Sequence, residues 1–169
     1  MNVLKLSRFL VRGLFWLNIL AGAGFVAVLA WWAVSPDVIL TVIGTKYGID
    51  QAPMVLNFMR LALILGAVAA IPVGLLLALL SRMIDTVGQG TPFITANAVR
   101  LRKMAWLILG FQLLDLLGGL LSFYAQKNGI DWIGWSPSLL GWLLVLLLFI
   151  LAGIFEQGVA MRDDLEGTV

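Results

Sequence analysis

Four long apolar runs, separated by short polar stretches, organise the chain. They cover about residues 13–34, 61–80, 104–124 and 139–155. Each is as long as the roughly 17–25 residues with which an α-helix crosses a bilayer. Hydrocarbon offers no partner to a bare N–H or C=O, so a continuous apolar run of this length reads as a helix. The pattern predicts an all-α integral membrane protein with four transmembrane helices. One four-helix transmembrane domain then fills residues 1–169, with a loop over 81–103 and a tail over 156–169. The stretch 35–59, which contains "DVILTVIG", is long enough for an interfacial or re-entrant element.

The first run follows "MNVLKLSRFLVRG" and superficially resembles a signal peptide. A signal peptide has a hydrophobic core of roughly 7–15 residues. This run is longer and ends in Trp31-Trp32, so it is expected to remain as the first span.

Composition removes whole classes of function. The chain is 62% hydrophobic and 12% charged, against about 25% charged in soluble domains. It has no cysteine and no histidine. Disulfides, thiol redox chemistry and the usual zinc and haem sites are therefore excluded as designs on those residues. There are no paired carboxylates and no Gly-Lys-Ser/Thr phosphate loop either; Gly88-Gln-Gly90 is too short to be one. No metal, cofactor or enzymatic activity is expected.

Charge gives the orientation. With the N-terminus inside, the cytoplasmic side holds Lys5, Arg8, Arg12, Arg82, Arg100, Arg102, Lys103 and Arg162, and the outer side only Lys46, Arg60 and Lys127. Positive loops stay inside, so both termini and the middle loop are expected in the cytoplasm. The tryptophans follow this division. Trp16 and Trp106 adjoin the basic clusters, while Trp31, Trp32, Trp132, Trp135 and Trp142 form an outer aromatic belt, in which Trp132 and Trp135 are also candidates for ligand stacking.

The two halves share landmarks. Arg12-Gly-Leu-Phe-Trp16 resembles Arg102-Lys-Met-Ala-Trp106, Lys46-Tyr-Gly-Ile-Asp50 resembles Lys127-Asn-Gly-Ile-Asp131, and Arg82 corresponds to Arg162. Such matches are what two tandem helical hairpins in the same orientation would show.

Within the spans, small and polar residues stand out. Gly66, Ala70, Gly74 and Ala78 recur every four residues, a ridge suited to close helix packing inside the bundle or between copies in a homo-oligomer. Pro72 interrupts it. On the third span Gln112, Asp115, Gly119 and Ser122 share one face. An ionised carboxylate at mid-membrane costs about 2.5–3.5 kcal/mol even on lenient scales. Asp115 is therefore either a hydrogen-bonded packing lock or a proton or cation site. Asn18 is its expected polar companion and Arg60 a distant ion partner.

The remaining signals lie in "GTPFITANAVRLRKMAW" and "FEQGVAMRDDLEGTV". Gly88, Gly90 and Pro92 make a turn, Thr95 or Asn97 can cap the next helix, and Phe93 can anchor the loop at the interface. Arg100, Arg102 and Lys103 sit within reach of lipid head groups. They also face the tail acids Glu156, Asp163, Asp164 and Glu166, among which only Arg162 is basic. A few arginines pressed against a bilayer cannot readily enter a DNA groove, so direct nucleic-acid binding is not expected.

These two stretches resemble a bacterial membrane family catalogued as domain of unknown function 2975. The resemblance is carried by Gly90, Pro92, Phe93, Asn97, Arg100, Leu101 and Arg102 in the loop. In the tail it is carried by Phe155, Glu156, Gly158, Arg162, Asp164, Thr168 and Val169. It implies a four-span layout in the bacterial inner membrane and a gene neighbour that is a small helix-turn-helix regulator. It brings no catalytic residues.

Two functions follow as expectations. The first is a non-enzymatic regulatory or scaffold protein whose loop and tail (Gly90, Pro92, Phe93, Asn97, Arg100, Arg102, Glu156, Arg162, Asp163, Asp164) dock such a regulator. The second is a subunit of a small transporter or channel, with Asn18, Gln112 and Asp115 as an intramembrane polar site.

Overall fold

The computed structural model describes residues 3–131 and 134–166, without the side chains of Leu165 and Glu166. Trp132, Thr168 and Val169 lie outside the described residues. Five helices follow in order: α1 (Val3–Val34), α2 (Pro36–Tyr47), α3 (Ala52–Gly88), α4 (Thr95–Lys127) and α5 (Leu139–Glu166). No strand occurs among the described residues.

Four of these helices are long and apolar enough to cross a membrane. With 32, 37, 33 and 28 residues they measure roughly 42–56 Å, more than the roughly 30 Å of hydrocarbon. The surplus corrects the expected loops. Helical hydrogen bonds do not stop where greasy side chains stop, so α3 continues through Arg82 to Gly88. The loop expected over 81–103 contracts to the residues between Gly88 and Thr95. The stretch 35–59 likewise becomes α2, a short connection, and the first two turns of α3.

Local chemistry explains the helix ends. Pro36 is the first residue of α2, where its missing N–H is no loss, and Asp37 favours the same end. α3 and α4 both stop in a Schellman arrangement. Thr91 N–H donates to Thr86 C=O at 3.1 Å and Gly90 N–H to Val87 C=O at 3.1 Å. Ile130 N–H donates to Ala125 C=O at 2.9 Å and Gly129 N–H to Gln126 C=O at 3.3 Å. Each needs a left-handed residue at the turn, supplied by Gly90 (φ 78°) and Gly129 (φ 66°).

The chain divides into two compact units. The first draws on Met1–Leu17, Pro72–Gln112 and Ser138–Val169. Its core is Leu101, Met104, Ala105, Leu148 and Ala152, with Leu76, Leu79, Met83 and Phe155 packed around them. The second draws on Asn18–Ile71 and Leu113–Pro137, with Val55, Phe58, Ala125 and Ile130 at its centre. Eight of the eleven lysines and arginines, the set assigned above to one side of the membrane, belong to the first unit. The other three belong to the second.

In the second unit the small residues serve internal packing. A Cβ added at Gly22 would stand 3.1 Å from that of Ala70, and one at Gly66 would meet the Phe25 ring at 3.0 Å. Helices α1 and α3 thus approach closely through part of the expected ridge.

Candidate functional site

The loop and the tail come together in the first unit, and Asn97 is the residue that shapes the loop. The sequence offered it as a helix cap. Instead it is the third residue of α4 and wholly buried. Its amide N–H₂ donates to Thr86 Oγ1 at 2.9 Å and to Pro92 C=O at 2.8 Å, and its oxygen accepts from Arg100 Nη1 at 2.7 Å. The Thr86 hydroxyl has one proton, which the Met83 carbonyl takes at 2.8 Å, leaving its lone pairs for Asn97. One side chain therefore ties the end of α3, the loop carbonyl and the start of α4.

With Pro92 fixed, Phe93 is directed onto α5. Its ring lies 5.1 Å from that of Phe155, and a Cβ added at Gly158 would meet it at 2.9 Å. The tail glycine is thus the seat for the loop phenylalanine. Arg162 Nη1 donates to Phe93 C=O at 3.5 Å, and Arg102 Nη2 pairs with Glu156 Oε1 at 2.6 Å. Phe93 packs on α5 and keeps 45% of its surface exposed. Asp163 and Asp164 are exposed on the last turns of α5. Arg8 Nη2, from α1, pairs with Asp85 at 2.8 Å on the same unit. Half-exposed ion pairs of this kind contribute about 0–1 kcal/mol each; the buried amide and the aromatic seat contribute more.

The intramembrane residues are placed differently from expectation. Asn18 Nδ2 donates to Ala70 C=O at 2.9 Å, two residues before Pro72. Gln112 Nε2 donates to Ser138 C=O at 3.3 Å at the start of α5. Each amide thus donates to a backbone carbonyl, one within α3 and one just before α5. Arg60, expected as a distant ion partner, lies over the Trp32 ring at 5.0 Å. Asp115 is half-buried and has no hydrogen bond or ion pair with a described residue. Gly119 is covered by the Trp135 ring, which a Cβ there would meet at 2.7 Å. Trp135 is therefore a packing residue.

One contact joins two of the stretches that the halves of the sequence share. In the second unit, Lys46 Nζ pairs with Asp131 Oδ2 at 2.8 Å, and Tyr47 Oη accepts from Asp131 N–H at 3.2 Å. The lysine of the first "KxGID" stretch thus meets the aspartate of the second. The hydrogen bond to Asp131 holds Lys46 above its ordinary 10.5, and the same bond holds Asp131 below its ordinary 3.8. A raised lysine stabilises below its unfolded value, and a depressed aspartate above its own. The pair is therefore complete between about pH 4 and 10. It is lost as pH falls through the lowered Asp131 value or rises through the raised Lys46 value. Exchange protection at Tyr47 and Gly48, corrected for intrinsic rates, is expected to fall at both extremes; a flat profile would show that the latch holds nothing.

Long apolar helices and one built polar face define the class: a multi-pass helical membrane protein. A family model described as a protein of unknown function (DUF2975) matches residues 6–169, and the chain belongs to that family. No curated protein and no solved structure matches it.

Proposed function

We propose that this is a non-enzymatic regulatory or scaffold protein of the bacterial inner membrane, with both termini cytoplasmic. Its loop and tail dock a cytoplasmic partner, a small helix-turn-helix regulator, and hold it away from its operator. One observation carries the reading: a buried asparagine shapes the loop so that Phe93 seats on Gly158, on the helix whose last turns carry the exposed Asp163 and Asp164. An exposed aromatic seated on a helix that carries acids suits a partner that is itself basic. The grouping of eight basic residues in this unit supports a cytoplasmic position for the face. The transport reading has less behind it: Asn18 and Gln112 each donate to a backbone carbonyl.

The test is co-purification from detergent-solubilised membranes with the regulator encoded beside the gene. Recovery is expected to fall at least tenfold on changing Phe93→Ala together with Asp163→Asn and Asp164→Asn, with the membrane protein still folded. Undiminished recovery, or none with the unaltered chain, would remove the docking role.

A further inference from the structure

In the second unit, a cavity of about 390 Å³ lies among α1, α2 and α3. Phe25, Val28, Trp32, Ile39, Met59 and Leu63 are among its walls. Two indole N–H groups, of Trp31 and Trp32, are the only hydrogen-bond donors among the lining side chains. Trp32 is 3% exposed, and its Nε1 has no acceptor. A buried donor left without an acceptor is unfavourable, and native structures rarely keep one without reason.

Helix α2 roofs this cavity. Among the described residues it is the one helix too short to span, and none of its residues is buried. The hydroxyls of Thr41 and Thr45 are satisfied by carbonyls of their own helix, at 2.8 and 2.7 Å. Such a helix can lie in the interfacial zone of a bilayer with its apolar side inward. Its C-terminal end is fastened by the Lys46 and Tyr47 contacts to Asp131. The roof therefore has a fixed end and an apolar underside.

Charge completes the picture. The Arg60 guanidinium sits 5.0 Å from the centre of the Trp32 ring and has no anionic partner among the described residues. A cation, an unpaired buried N–H and an apolar chamber lie together on one tryptophan. We propose that this chamber binds one acyl chain of an anionic phospholipid. The Trp32 N–H, closed off from the chamber in the free chain, turns with its ring onto the ester carbonyl, and Arg60 faces the phosphate. The ligand class is thus an acyl chain ending in a carbonyl acceptor, and the phosphate identifies the bilayer lipid as its source. A regulatory membrane protein with such a site would read the lipid composition of its own membrane.

Native mass spectrometry of the full chain, released from phosphatidylcholine nanodiscs doped with phosphatidylglycerol, tests this. The unaltered protein is expected to retain one phosphatidylglycerol. Arg60→Gln and Trp32→Phe should each lower that retention at least tenfold, and Ala62→Phe, which fills the chamber, should abolish it. Where Ala62→Phe fails to fold by circular dichroism, the other two variants decide, since Arg60 is exposed and Phe keeps most of the bulk of Trp32. Equal retention by the unaltered chain and these two variants overturns the proposal. So does retention of added palmitic acid or of detergent in place of the phospholipid.

Discussion

Replacing Asn97 by Ala is expected to lower the stability of the chain by about 3 kcal/mol and to release the loop between α3 and α4. The side chain is fully buried and makes three short hydrogen bonds. Two neutral bonds contribute about 1 kcal/mol each and the one from the Arg100 guanidinium about 1.5–3 kcal/mol, offset in part where water enters the vacated space. The Pro92 carbonyl loses its donor, so Phe93 loses the support that aims it at Gly158. Chymotrypsin should then cut after Phe93 at least ten times faster, because cleavage follows the population of the opened loop. Asn97→Asp discriminates further. It keeps an acceptor for Arg100 but sets a carboxylate against the Pro92 carbonyl, so the loop should open although the charged contact survives. A stability change below about 1 kcal/mol with unaltered cleavage would show that the loop is shaped by something other than this amide.

How much of this was legible beforehand divides along physical lines. The four spans were readable because twenty greasy residues in sequence have one stable answer in a bilayer. Their true ends were not, since the apolar run marks the lipid and the hydrogen-bond ladder sets the helix. Ser35-Pro36-Asp37 carried a helix-start signal, yet its run is too short to span and reads equally as an interfacial loop. In the loop, Gly90 and Pro92 were readable as a turn, Phe93 as an anchor and Asn97 as a candidate cap. Its partner Thr86 was not, because no spacing rule links a residue near the end of one helix to the third residue of the next. The meeting of loop and tail was anticipated from charge, and Arg102 with Glu156 bears it out. The aromatic seat of Phe93 on Gly158 was invisible to charge counting. Gln112 and Asn18 show the converse: a polar residue inside a span signals a buried need without naming the group that meets it.

Gln112 makes that need measurable. Helix α5 begins at Leu139, and the Gly141 N–H donates to the Ser138 hydroxyl at 3.3 Å, the geometry of an N-cap. Gln112, 5% exposed on α4, donates to the Ser138 carbonyl, and its amide lies directly on Gly141, where any Cβ would overlap it. Gly141→Ala is therefore expected to destabilise the chain by about 2 kcal/mol, by overpacking and by dislodging a buried amide from its acceptor. Gln112→Ala alone should cost about 1–2 kcal/mol for the lost bond and contacts. With both changed, the new methyl occupies space the amide has vacated, so Gly141→Ala in that background should cost less than about 0.5 kcal/mol. The coupling, about 1.5 kcal/mol, is large enough to read from unfolding in mixed micelles. Strict additivity would mean that Gln112 already leaves Gly141 in solution. A Gln112 side chain engaged by a permeating ion would instead leave stability unmoved and alter flux.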